Sequence, residues 1–166
     1  MSRELKDIKK IVRLSPSENP YLTILHPEQK PPHIAFITNG ICYSLSVNGK
    51  KAINADALIH KFLVNHKKIL FLELDIPNEN ILFEDVLNNY TEVDFSETCL
   101  SPIKKYLELV LSDSYTQLPF VFNVVEKLQN HHLIKNAFGV NIEGDFKLME
   151  YTKQEVDSCI SSNLNS

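Results

Sequence analysis

The stretch 30-KPPHIAFITNGICYSL-45 decides how this chain is read, because it packs a proline pair, two β-rich runs, a tight-turn dipeptide and a cysteine together. "HIAFIT" (33–38) alternates as a strand does. Asn39–Gly40 follows it, and this dipeptide is the strongest short hairpin signal, since both central residues of a type I′ turn need φ > 0. "ICYSLSV" (41–47) is then the returning arm, and "NGKK" (48–51) turns the chain again. Upstream, "YLTILH" (21–26) is rich in β-branched and aromatic residues and lies between the proline-bounded turns "SPSENP" and "PEQKPP". Together these runs predict a three-stranded antiparallel meander.

Outward from the meander the period changes. Ala55, Leu58, Ile59, Phe62 and Leu63 share one face of a helix, with Asn54 at its N-cap. Two segments stay open between helix and strand. Residues 4–14 place Leu5, Ile8 and Val12 at helical spacing yet end in the β-prone "IVRL", and "KILFLEL" (68–74) is too short an apolar run to decide. "ILFEDVLNNY" (81–90) predicts a helix. "SPIKKYLELVLS" predicts another, capped by Ser101 with Pro102 in its first turn and Ile103, Tyr106, Leu107, Val110 and Leu111 on its apolar face. Residues 119–130 predict a third, around Val121, Phe122, Val125 and Leu128. Phe138, Val140 and Ile142 alternate before Gly144–Asp145, and Phe146 and Leu148 answer them, so 138–151 reads as a second hairpin. Thr152-x-x-Glu155 is a capping box opening a last helix with Val156, Cys159 and Ile160 on one face. The expected fold is α+β: an N-terminal antiparallel β-meander packed by helices, with extra C-terminal helices and a β-hairpin. A length of 166 residues suits a single domain, here a core over 1–95 and a helical and hairpin extension over 96–166.

Composition narrows the function classes. A net charge of −4 argues against a domain held mainly by nucleic-acid phosphates, which needs a basic face. Three cysteines, an odd number without close spacing, fit reduced thiols better than a disulfide framework. The N-terminal "MSRELKDIKKIVRL" interleaves charge with hydrophobes and lacks a signal-peptide core, and no apolar run approaches the ~20 residues of a membrane span. The expectation is a cytoplasmic protein with no membrane partner.

Chemistry centres on Cys42. A cysteine becomes a nucleophile when its thiolate is accessible and stabilised by donors or positive charge. Cys42 follows a tight turn, with Asn39 and His33 close in sequence. The alternative is a small apolar side chain packed under the sheet, as free cysteines commonly are. The six histidines show no HxxxH or HExxH spacing and no cysteine clusters with them, so a zinc site is not expected. Glu73–Asp75 and Glu84–Asp85 read as solvated carboxylates. The four glycines sit in turns and strands, and none belongs to a phosphate-binding loop.

In order, "KPPHIAFIT", "GICYSL", the helix "NADALIHKFLVNHKKIL" and "IPNENILFEDVLNNY" resemble the proline-pair strand, cysteine segment, crossover helix and Pro-Asn loop of ubiquitin-conjugating enzymes. The resemblance covers roughly residues 28–95 and is of the divergent, bacterial type. It puts Pro31 and Pro32 on the paired prolines and Cys42 on the position that accepts a ubiquitin-like modifier as a thioester. The family's His-Pro-Asn tripeptide and its tryptophan after the cysteine are absent, and Asn39 and His33 are the residues nearest to stand in for the former. The resemblance implies transthiolation onto Cys42 from an activating enzyme, transfer to an amine with Asn39 and backbone N–H groups at the oxyanion, and no cofactor or metal. Its partners would be an activating enzyme and a ubiquitin-like protein. The competing reading is a non-catalytic protein-interaction module. It is either an inactive relative of that scaffold or a winged-helix-like adaptor built from the helices near 103–130 and the 138–151 hairpin, with nucleic acid disfavoured by a single lysine on the second helix.

Overall fold

The structure, a computed structural model, describes residues 3–15, 17–77 and 80–164. The elements run β1 (Glu4–Lys10), β2 (Tyr21–Leu25), β3 (His33–Thr38), β4 (Ile41–Ser46), β5 (Gly49–Asn54), α1 (Ala55–Val64), β6 (Ile69–Leu74), α2 (Phe83–Leu87), α3 (Ser101–Leu111), α4 (Val121–Asn130), β7 (Ile134–Val140), β8 (Gly144–Lys147) and α5 (Lys153–Leu164). All eight strands join one mixed sheet in the order β5-β4-β3-β2-β6-β7-β1-β8. It draws strands from both sides of residue 95. The α+β class is as expected.

The meander forms in register, with Thr38 paired to Ile41 across Asn39 (φ 51°) and Gly40 (φ 75°), the two left-handed residues a type I′ turn requires. It has four strands, however, not three. Gly49 begins β5, because the turn takes only Val47 and Asn48 and Gly49 already pairs with Ser46. Both open segments are strands. Ile69–Leu74 is buried on both sides, which explains its unbroken apolar run. Glu4–Lys10 lies between β7 and β8.

That placement of β1 overturns the hairpin expected over 138–151. β7 and β8 do not pair with each other. β7 runs parallel to β1 on one side and β8 antiparallel to it on the other. The cause is local. Asn141 (φ 57°) turns the chain out of β7, and its side-chain amide donates to the carbonyls of Phe62 (3.3 Å) and Lys67 (2.7 Å). A Cβ on Gly139 would lie 2.3 Å from the Ile142 carbonyl oxygen, so glycine alone allows this fold-back. The connection is thus drawn toward α1, β1 fills the gap, and the wing of a winged-helix module does not form.

Helix bounds also differ from expectation. Helix α2 spans only Phe83–Leu87, without a side-chain cap, and α4 begins at Val121. Ser101 is not the N-cap of α3; Leu100 is, and the Ser101 hydroxyl accepts instead from the Thr98 N–H (2.9 Å). Asn54 caps α1 as predicted, accepting from the Ala57 N–H at 3.0 Å. The capping box of α5 is reciprocal: Thr152 N–H donates to Glu155 (2.8 Å) and Glu155 N–H to Thr152 Oγ1 (3.2 Å).

The sheet has two covered faces. Leu22, Ile24, Ile34, Phe36, Leu45, Leu70, Leu72 and Leu74 meet α2 to α5 in the larger core, where Phe36, Phe83 and Tyr106 stack at centroid distances of 4.8–5.6 Å. Their alternating neighbours, among them Ala35, Ile37, Cys42, Ile69 and Phe71, meet α1 in a smaller one. Among the described residues, no helix is long and apolar enough to cross a membrane.

Candidate functional site

The parity of β4 fixes where Cys42 points. Cys42 stands opposite Ile37 on β3 and Ile53 on β5, which puts its side chain on the α1 face of the sheet. There it belongs to the core formed with Ala55, Leu58 and Ile59 of α1 and is 3% exposed. Burial pushes its thiol up to about 12, so at neutral pH it is held as the uncharged form. A thiol so placed lacks both features a nucleophile needs, namely access and a stabilised anion.

Asn39 and His33 lie at opposite ends of β3. Six residue steps at about 3.3 Å each put them roughly 20 Å apart. Asn39 is exposed in its turn, while His33 is half-buried at the start of the strand. His33 is held below the usual imidazole range, first by burial and then by the charges of Lys51 and His26. The three residues singled out from the sequence therefore do not converge on one point.

Asn39 does border a cleft of about 280 Å³, shared with Ser17, Asn19, Tyr21, Asn54 and Asp56 at the start of α1. Beside it sits a residue that sequence reasoning misplaced. Glu73, expected in solvent, is 7% exposed on the α1 face of β6. It accepts hydrogen bonds from Asn136 Nδ2 (2.7 Å), Ser17 Oγ (3.0 Å) and Asn19 Nδ2 (3.2 Å). Burial alone would raise its carboxyl, but these donors outweigh that and hold it below the usual range. The carboxylate closes the sheet end that α1 leaves uncovered by tying the segment before β2 to β7. Held by these three donors, Glu73 is a structural clasp. Among the described residues, no three His, Cys, Asp or Glu side chains gather where they would hold a metal ion.

A second feature lay in the sequence unread. Residues 29–68 carry six lysines and one acid, Asp56, whereas residues 69–103 carry eight acids and no lysine or arginine. The fold assigns these blocks to different elements. The basic one forms β3, β4, β5 and α1, with Lys30, Lys50, Lys51, Lys61 and Lys67 exposed. The acidic one supplies β6 and α2, and α2 lies on the sheet face away from α1, where Phe83 packs on Phe36 and Tyr43. A modest net charge thus hides an uneven distribution of charge along the chain. The signal that finds it is the run of 27 residues from Gln29 to Ala55 without an acid.

No protein-family model, curated protein or solved structure matches this chain.

Proposed function

We propose that the chain is a non-catalytic protein-interaction module, with Cys42 a core residue and not a thioester site. The observation that carries this reading is the position of the Cys42 side chain, sealed between the sheet and α1 with its thiol held protonated. Transthiolation needs the sulfur in line with an incoming acyl group, and reaching it here means lifting α1 from the sheet. The exposed lysines on β5 and around α1 support the binding half of the reading, since complementary fields steer and orient partners. On this view the likeness to ubiquitin-conjugating enzymes is one of element order, without their chemistry. The enzyme reading, with an activating enzyme and a ubiquitin-like protein as partners and Asn39 and His33 in support, makes the opposite forecast.

Incubation with an activating enzyme, its ubiquitin-like protein and ATP, followed by a non-reducing gel, separates the two. We expect no thiol-sensitive adduct. An adduct that is lost in Cys42→Ser and in Cys42→Ala, with both variants folded, would overturn the proposal.

A further inference from the structure

The sheet ends at β5, and this edge is open. A two-residue turn makes Ser46–Gly49 a hydrogen-bonded pair, so Lys51 and Ile53 also bond inward to β4 while the peptide groups of Lys50 and Ala52 point outward. The Ala55 N–H bond to the Gly40 carbonyl (2.8 Å) continues the same alternation. Among the described residues, no further strand covers that edge. Its side chains form an ordered code. Lys50 and Lys51 are adjacent and exposed, one on each face, followed by exposed Ala52 and by Ile53 at 40% exposure.

We infer that β5 takes up an extended peptide of a partner as a ninth, antiparallel strand, and that the peptide reads apolar-apolar-acidic-acidic from its N-terminus. The inference rests on the interaction-module reading and supplies its partner class. Backbone hydrogen bonds to Lys50 and Ala52 give the affinity, as in other cases where a peptide extends a sheet. Specificity follows from cross-strand pairing: residues opposite Ile53 and Ala52 gain by being apolar, and those opposite Lys51 and Lys50 by being acidic. A second copy of this chain is disfavoured. Antiparallel pairing of two β5 strands would bring lysines near lysines or set them against Ile53 and Ala52, and edge lysines are a common means of blocking self-pairing. A nucleic acid offers no alternating backbone donors and acceptors to match the outward peptide groups.

The probe is a fluorescein-labelled, N-acetylated Thr-Val-Val-Glu-Glu-Thr peptide, read by anisotropy, with backbone amide exchange of the protein read in parallel. Expected are saturable binding, slowed exchange at Lys50 and Ala52, and no binding of the Thr-Val-Val-Lys-Lys-Thr counterpart. Lys50→Glu combined with Lys51→Glu should weaken binding at least tenfold. Ala52→Pro should do the same, because it removes an outward N–H while leaving the ladder to β4 intact. Thermal melts confirm that the variants fold. Loss with charge reversal but not with Ala52→Pro would overturn strand addition, as would a twelve-residue thymidine oligonucleotide binding more tightly than the peptide. Absence of peptide binding while the thioester gel stays blank overturns this inference alone; a Cys42-dependent adduct overturns the reading beneath it.

Discussion

The two faces of the sheet are covered by unequal means. One meets four helices and holds the aromatic cluster of Phe36, Phe83 and Tyr106 within a continuous core. The other meets only α1 and the segment around Ile11 and Leu14, and its uncovered end is closed by a hydrogen-bonded carboxylate. The exposed lysines of β5 divide between the two faces, Lys51 on the α1 side and Lys50 on the other. The fold is therefore secured mainly from one side. The other side relies on one helix, a polar clasp and an exposed edge strand.

The largest effect should come from breaking the secured face. Phe36→Ala removes a fully buried ring from between β3, α2 and α3, and should cost about 3–5 kcal/mol in denaturant unfolding. A loss as small as that of an exposed position would mean the two faces are equivalent.

Next comes the clasp on the weaker face. Glu73→Gln keeps the shape but turns a charged acceptor of three donors into a partial one, and should cost about 1–3 kcal/mol at neutral pH. The sign with pH follows from the depressed carboxyl. Its contribution is complete above the unfolded glutamate value of about 4.3 and is lost as pH falls through the lower folded value. Unfolding curves of the wild type and Glu73→Gln should therefore converge at acid pH. A difference that stays constant from pH 7 to pH 2 would contradict the clasp.

The smallest effect concerns charge alone. Lys51→Glu removes a cation that lowers His33, so the imidazole should titrate at higher pH by proton NMR. An unchanged titration would show that Lys51 does not act on His33.

Much of the fold was legible because it is local. The Asn39–Gly40 turn, the Asn54 cap and the Thr152–Glu155 box each sit within a few residues and satisfy their own backbone groups. β5 was missed because an exposed edge strand has no buried partner to impose alternation on Gly-Lys-Lys-Ala-Ile-Asn. The pairing of β1 with β7 and β8 was missed because it joins residues more than a hundred positions apart, and two nearby arms mimic a hairpin. Cys42 misleads in a different way. It shares its strand face with Ser44 and Ser46, so the local pattern suggests a solvated side, and only the crossing of α1 turns that side into core. The charge division needed no structure, only a count made by segment instead of over the whole chain.

Cys42 sealed beneath α1 should resist alkylation in the folded protein. Native protein is treated with iodoacetamide near pH 7.5, and each cysteine is followed by peptide mass spectrometry. Half-exposed Cys159 should react first. Cys99, whose thiol burial pushes up to about 11, should lag, and Cys42 should react only under unfolding conditions. Modification of Cys42 ahead of Cys159, with the protein still folded, would contradict the account.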